Sequence, residues 1–205
     1  MNRNKLLREF YTNDNTLQIA RDLLGKLLIV PTETGEIISG MIVETEAYLG
    51  EIDKGAHSFG GRRTARNEIT YSVGGSVYVF FIYGMYFQLN IVTNKIDVPH
   101  VVLIRAVEPR EGIETMRTRR LVKNPSAKMP DKNLTSGPGK LCIAFDITSK
   151  FNGADLLGDQ IWLEEYRTFG EDEIASGKRI GIDYAEEYAE KPWRFRVKNN
   201  SFVSK

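Results

Sequence analysis

The chain has 205 residues, a formal net charge of +1, 41% hydrophobic residues and 27% charged residues. These values are ordinary for a soluble globular protein of one domain, and they exclude a strongly basic protein that binds nucleic acid by overall charge. No apolar run approaches the ~20 residues of a membrane span. The first residues also lack the apolar stretch of a secretion signal, so we expect a cytoplasmic protein.

The first half of the chain predicts a helix, two strands and then a hairpin. Asn13, Asn15 or Thr16 can cap a short helix that ends at Gly25. Runs rich in β-branched and aromatic residues predict strands at 26–30, 37–48, 77–83 and 86–92. The glycine- and arginine-bearing stretch 50–75 is typical of a long functional loop.

The second half alternates short elements. In order, it predicts a strand at 101–107, a helix beginning at Pro109, a loop at 124–135, a short helix at 136–145, and strands at 161–165 and 194–197. The whole chain, 1–205, is therefore predicted to be one compact α/β domain of the α+β type. Its sheet is expected to be mixed and mostly antiparallel, with short helices and a protruding β-hairpin.

Charge and cysteine content add two expectations. Basic residues gather in 117–140 and 191–198, and acidic residues gather in 164–173. This pattern suits a basic face for a polyanion, and it equally suits an ordinary mosaic of solvated charges. The single cysteine, Cys142, excludes an internal disulfide, and we expect it to be a small buried residue in a reducing compartment.

The first candidate for chemistry is the strand segment 44–48. Alternation places Glu44, Glu46 and Tyr48 on one face and Thr45 and Ala47 on the other. A carboxylate on such a face can act as a general base towards water. The alternative is that these residues form only the solvent-exposed face of a half-buried strand.

The histidines and the glycine-rich segment restrict the possible cofactors. His57 has small neighbours that leave its ring accessible, and His100 is the only other histidine, so we expect neither a metal nor another cofactor. Residues 136–140 look like part of a P-loop, but Leu134 and Leu141 stand where that motif requires Gly and Ser or Thr. A helix N-terminus there can still hold one DNA phosphate.

The aromatic stretch 78–87 has two interpretations. It can be hairpin core, or it can expose large apolar residues at a hairpin tip. Exposed apolar side chains of this kind are used by proteins that insert a wedge between DNA bases.

Several long segments together resemble the mammalian-type 3-methyladenine (alkyladenine, or methylpurine) DNA glycosylases. The matching stretches are 20–25, 43–50, 56–58, 62–67, 78–90, 103–109, 136–142 and 179–197. This resemblance implies a fold similar to the C-terminal domain of formyltransferases. It also implies a repair enzyme that flips damaged purines, of the 3-methyladenine, 7-methylguanine, hypoxanthine and ethenoadenine type, out of duplex DNA. The enzyme would then hydrolyse the N-glycosidic bond and leave an abasic site.

The resemblance also implies roles for individual residues. Glu46 stands at the position of the general base, and Arg105 matches the arginine that helps to hold the attacking water. Tyr48 and His57 match pocket residues that contact the flipped base. Tyr83 matches the hairpin tyrosine that fills the gap left in the duplex.

Two further pocket positions affect which lesions are accepted. Asn90 matches the asparagine that crowds the exocyclic amine of guanine. Phe80 stands where the family usually has a pocket tyrosine, so the stacking wall remains while a hydroxyl is lost. We also expect Arg62, Arg66 and Lys140 to contact the DNA backbone, and the protein to act as a monomer on double-stranded DNA containing damaged purines.

Two other functions fit parts of the sequence. Glu44 and Glu46 could be the paired carboxylates of a carbohydrate-directed glycoside hydrolase, but residues i and i+2 of one strand are too constrained to flank a sugar from opposite faces. A non-catalytic nucleic-acid binding module is the second alternative. The pair Glu46 and Arg105 argues against it, since binding alone does not need a carboxylate beside a polyanion.

Overall fold

The computed structural model describes residues 4–122 and 124–204. Four short α-helices are present in these ranges: α1 Arg8–Tyr11, α2 Thr16–Asp22, α3 Ile113–Arg120 and α4 Pro138–Phe145. Eight strands accompany them: β1 Leu27–Pro31, β2 Ile37–Tyr48, β3 Val77–Ile82, β4 Tyr86–Thr93, β5 His100–Glu111, β6 Trp162–Glu164, β7 Ile174–Gly177 and β8 Arg194–Val197. None of the helices described in these ranges is both long enough and apolar enough to cross a membrane.

The strands form one sheet in the order β3-β4-β5-β2-β1-β6, and β8 pairs with both β2 and β7. Every pairing among the described strands is antiparallel. The predicted antiparallel character is therefore confirmed, whereas the expected mixture with parallel pairs is wrong. A parallel pair needs a crossover connection that returns the chain to the starting end of the sheet. The hairpins and loops of this chain instead bring each strand back in the opposite direction.

The strand β2 is the centre of the sheet. It pairs with β5 along one edge. Along its other edge, β1 pairs with its first half and β8 pairs with its second half. Because both edges are covered, the interior of β2 from Ile38 to Ala47 is buried throughout.

The two faces of β2 differ in chemistry, as the alternation predicts. Thr45 Oγ1 donates a 2.7 Å hydrogen bond to the carbonyl of Ala20 in α2, and Ala47 belongs to the main hydrophobic core. Glu44 and Glu46 project from the opposite face, where a smaller cluster of Tyr78, Val92 and Val101 packs. One face therefore carries the core, and the other is available for a polar site.

The remaining predicted elements are largely confirmed, with one clear error. The helix predicted from Pro109 is present as α3, but its predicted start is wrong, because β5 continues to Glu111 and pairs with the start of β2 through Gly40 and Ser39. This long-range pairing outweighs the local preference of proline for a first helical turn. Gly112 then turns the chain with a positive φ of 70°, and α3 begins at the next residue.

Two local predictions can be compared in more detail. The side chain of Asn15 caps α2 by accepting the N–H of Gln18 at 3.1 Å. The stretch 50–75 contains three short 3₁₀ helices, so it is more regular than the sequence suggests. Asn67 organises part of it, since its side chain donates to the carbonyls of His57 and Arg62.

Candidate active site

A row of residues crosses five strands on the face of the sheet opposite α2. Cross-strand pairing places them side by side in the order Tyr78, Asn90, Leu103, Glu46 and Arg194. Directly opposed residues project from the same face of an antiparallel sheet. The sheet therefore gathers polar and aromatic side chains from distant parts of the chain.

A cavity opens over this row. Its lining includes residues of the sheet and of two loops: Tyr48, His57, Tyr78, Phe80, Asn90, Leu103, Arg105, Ile180 and Tyr184. Sites for small ligands are commonly concave and combine aromatic or apolar walls with a few polar groups, and this cavity has that composition.

Glu46 is fully buried and lies directly behind the cavity wall rather than in it. Its Oε1 accepts the backbone N–H of Ile180 at 2.8 Å and lies 3.2 Å from Arg105 Nη1, while its Oε2 accepts the Tyr48 hydroxyl at 2.9 Å. Burial raises the pKa of this carboxyl, and Arg105 offsets that effect only in part. The alternative of a solvent-exposed strand face is wrong, and a carboxyl in this environment is suited to accept a proton.

Arg105 links the two carboxylates of β2. Its Nε donates to Glu44 Oε1 at 3.0 Å, and its Nη1 faces Glu46. Glu44 also accepts from Arg194 Nε at 2.6 Å and from the backbone N–H of Ser204 at 2.6 Å. The oxygens of Glu44 are therefore committed to internal partners, and Glu44 serves as the counter-ion that orients Arg105.

Two buried charged residues behind Tyr48 were missed by the sequence analysis. The guanidinium of Arg179 lies 4.6 Å from the centre of the Tyr48 ring and forms an ion pair with Asp53. The side chains of both partners are completely buried. The signal for Arg179 is its place at the start of a matching stretch, whereas Asp53 stands in a polar loop 126 residues away and carries no comparable signal.

His57 and its neighbours form an aromatic wall of the cavity. The His57 ring meets Phe80 edge-on at 4.5 Å between centroids, and its Nδ1 lies 2.8 Å from the hydroxyl of buried Tyr78. Although much of His57 is exposed as predicted, the enclosed side of the ring and the cations Arg66 and Arg62 lower its pKa to about 4. The ring is therefore neutral at pH 7. Tyr78 was not among the predicted site residues.

Asn90 is buried and lines the cavity. Its Nδ2 donates to the carbonyls of Tyr78 at 3.2 Å and Gln88 at 3.4 Å, which fixes the amide plane against the hairpin backbone. The side chain thus has a structural role and also forms part of the cavity surface.

The hairpin tip presents Tyr83 to solvent. Tyr83 and Gly84 have positive φ angles of 55° and 66°, and the N–H of Met85 closes the turn on the carbonyl of Ile82 at 3.2 Å. Two positive φ angles favour the tight turn of a two-stranded hairpin. Tyr83 is 73% exposed and Met85 is 64% exposed, whereas Val77–Val79 at the base are buried. The base of the hairpin is therefore core, and its tip exposes large apolar side chains. Each interpretation of the aromatic stretch applies to one end of it.

The three predicted backbone cations are exposed. Arg66 donates to the carbonyl of Phe81 in the hairpin at 3.0 Å, and Arg62 is near enough to His57 to lower its pKa. Lys140 lies on α4, next to Gly139, which packs against the ring of Tyr86 in the hairpin. Arg66 and Lys140 are therefore close to the hairpin.

Part of the basic pattern seen in the sequence is used internally. Arg117 is paired with Asp131 at 2.6 Å and with Glu114, and Arg194 is paired with buried Glu44. These two arginines are therefore held by acidic partners within the protein. Within the described ranges, no group of three or more His, Cys, Asp or Glu residues is arranged to hold a metal ion. Cys142 is a free, buried thiol, as expected.

Comparison with known proteins assigns the chain to a family. Residues 9–201 match the family described as Methylpurine-DNA glycosylase (MPG). The chain is 54% identical to a protein of Clostridium novyi, over 98% of each chain, and 50% identical to one of Clostridium acetobutylicum, over 98% of this chain and 97% of the relative. Both relatives bear the name "Putative 3-methyladenine DNA glycosylase". With nearly its full length matched, the chain belongs to the methylpurine-DNA glycosylase family.

Proposed function

We propose that the protein removes damaged purines from duplex DNA by hydrolysing the N-glycosidic bond. The observation that carries this proposal is the buried carboxylate of Glu46, which three donors hold directly behind an aromatic cavity. The cavity accepts one base, so the damaged nucleotide must leave the stack before the reaction, at a cost of a few kcal/mol.

The reaction needs a base, an attacking water and a leaving group. Glu46 takes a proton from the water, and the water oxygen forms a bond to the anomeric carbon C1′. The bond from C1′ to the purine nitrogen breaks, and its electron pair leaves with the purine. An alkylated purine such as 3-methyladenine or 7-methylguanine is cationic and leaves as a neutral base. A neutral lesion such as hypoxanthine or ethenoadenine must also gain a proton.

The cavity wall suits such a substrate. Tyr48 and His57 can contact the extruded base, and Phe80 extends the aromatic surface. Aromatic faces attract cations, which favours the positively charged lesions. Because the His57 ring is neutral at pH 7, it adds no charge that would repel a cationic purine. We propose that Tyr83 fills the vacated stack and that Arg62, Arg66 and Lys140 hold the backbone.

The geometry argues against the two alternative functions. The carboxylates of Glu44 and Glu46 both bond Arg105, so they act from the same side and do not flank a sugar ring. A pure binding module remains compatible with the expected likeness to formyltransferase C-terminal domains, because fold alone does not determine function. Glu46 disfavours that module, since burying a carboxylate beside a polyanion's binding site costs free energy without aiding binding.

A panel of duplexes tests the proposal directly. Each duplex carries one lesion, and free base is measured after incubation with the purified protein or with Glu46→Gln. We expect the wild type to release base, and Glu46→Gln to bind the same duplexes while releasing base far more slowly. Binding by both proteins with no base released from any duplex would identify a non-catalytic module, and activity on sugar polymers alone would identify a glycoside hydrolase.

A further inference from the structure

The pair Arg179 and Asp53 occupies the interior behind the cavity. The contact is bidentate, with Nη1 to Oδ2 at 2.5 Å and Nη2 to Oδ1 at 2.8 Å, and neither side chain has any exposed surface. A buried ion pair is a weak source of net stability, because both charges lose their hydration. The pair instead contacts the elements that carry the two donors to Glu46, as the following contacts show.

Arg179 supports Tyr48 in two ways. Its guanidinium lies between two rings, 4.6 Å from the centre of Tyr48 and 5.0 Å from the centre of Trp193. Its Nη1 also donates to the carbonyl of Ala47 at 3.0 Å, so it holds the backbone immediately before Tyr48. The ring whose hydroxyl donates to Glu46 is therefore fixed from behind.

The same pair fixes the second donor to Glu46. Ile180 follows Arg179 directly, and its N–H donates to Glu46 Oε1 at 2.8 Å. Asp53 holds the facing loop, since its side chain accepts the N–H groups of Leu49 and Gly55 at 3.0 and 2.9 Å. One ion pair thus joins β2, the loop before His57 and the segment after β7.

We infer that the Arg179–Asp53 pair is a positioning device for base excision, which holds the Tyr48 ring and the Ile180 N–H against Glu46. This inference rests on the proposed function of Glu46. Neither residue lines the cavity, and the pair acts through the two donors of the carboxylate. Small displacements of such groups lower the rate steeply, by up to about 10²-fold for a shift of 1 Å.

The conservative variant Asp53→Asn tests the inference. It keeps the side-chain volume, so Glu46 stays buried, while the N–H of Ile180 loses its fixed position. Loss of that donor raises the pKa of Glu46 further. In single-turnover excision of 7-methylguanine we expect a rate lower by up to about 10²-fold, an acid limb of the pH–rate profile displaced to higher pH, and little change in substrate affinity.

The matched control is Lys26→Met, which breaks the partly buried ion pair of Lys26 with Glu165, a contact of 2.7 Å outside the cavity lining. The pH–rate profile of Lys26→Met should keep the wild-type acid limb, even if this variant is less stable than the wild type. The double variant Asp53→Asn with Arg179→Met covers the case in which Asp53→Asn folds poorly. Removing both charges should restore stability, because no unpaired buried charge remains.

The outcomes distinguish a role of the ion pair in stability from a role in positioning the reactive groups. If the double variant recovers stability but keeps the low rate and the displaced limb, the pair positions the reactive groups. If activity returns with stability, or if the acid limb of Asp53→Asn is unchanged or moves to lower pH, the inference is wrong. A wild type that releases no base would instead reject the proposed function itself.

Discussion

Glu46 and Asn90 lie in the same row of the sheet, with only Leu103 of β5 between them. The proposed general base and the proposed selectivity residue are therefore placed by one continuous ladder of backbone hydrogen bonds. A rigid sheet holds side chains more accurately than loops do. Catalysis and selection thus share one scaffold, and separate substitutions in that row can test them independently.

Replacing the proposed base should stop the reaction without unfolding the protein. In Glu46→Gln the amide oxygen can still accept from Ile180 and Arg105, but it cannot take the proton of water. We expect base release to fall by ~10²–10⁴-fold while damaged-DNA binding persists. Glu44→Gln is the comparison. It should lower thermal stability and slow base release only moderately, since Glu44 orients Arg105 and also accepts from Arg194 and Ser204. Near-normal turnover in Glu46→Gln together with loss in Glu44→Gln would contradict this assignment.

The pH–rate profile should report Glu46 rather than His57. Burial raises the pKa of Glu46 above its ordinary value of 4.5, so activity should fall as the pH drops through that raised value. His57, with a pKa lowered to about 4, stays neutral over the same range. With cationic 7-methylguanine as substrate, His57→Gln should keep the acid limb in place even if the rate falls. A limb that moves in His57→Gln but stays in Glu46→Asp would assign it to the histidine.

The reaction should leave the DNA strand intact and need no metal. Among the residues that the structure describes, no lysine lines the cavity, so water is the expected nucleophile and no imine should form. We expect full activity in EDTA, no covalent adduct after borohydride reduction, and an abasic product that is cleaved only by later alkali treatment. Inhibition by EDTA would show that the reaction needs a metal. A trapped adduct would show that a protein amine, and not water, attacks the sugar.

Removing the ring of Tyr83 should affect duplex substrates most. Tyr83→Ala leaves the vacated stack unfilled, and a stacked aromatic ring contributes roughly 1–3 kcal/mol. Excision from a duplex should therefore slow far more than excision from a single strand. Tyr83→Phe, which keeps the ring, is the control and should behave like the wild type. Equal losses on both substrates would mean that the exposed ring has another role.

Asn90 should limit the removal of normal guanine. Guanine differs from hypoxanthine by one exocyclic amine, and exclusion by a fixed side chain discriminates better than affinity does. In Asn90→Ser we expect some guanine release from mismatched duplexes, with ethenoadenine excision largely kept. Both rates should be measured on otherwise identical duplexes. If guanine release stays at background while every activity declines together, Asn90 serves only to anchor the hairpin.

The sequence predicted individual elements better than their arrangement. Alternation within β2 correctly separated Glu46 from Thr45, because the two faces of a strand depend only on neighbouring positions. The row that joins Glu46 to Tyr78 depends on pairings between distant strands, which no local pattern encodes. The same reason explains the error at Pro109, where pairing with Gly40 extends β5.

For the candidate site, too, the sequence indicated single residues better than partners that lie far apart in the chain. Resemblance to a family pointed to Glu46, Arg105 and Tyr48, and in the structure Arg105 and Tyr48 both contact Glu46. It did not identify Asp53, whose importance comes from burial and from a partner 126 residues away. A carboxylate in a polar loop looks solvated until the fold encloses it.

The internal pairing of Arg117 and Arg194 affects how the binding of DNA would depend on salt. Each cation that contacts a phosphate releases counterions, and the logarithm of affinity falls with the logarithm of salt concentration by about 0.9 per contact. Under the proposal that three cations, Arg62, Arg66 and Lys140, contact the backbone, the slope would be about −2.7, which is shallow for a DNA-binding protein. Binding to undamaged DNA would then lose comparatively little affinity as the salt concentration rises.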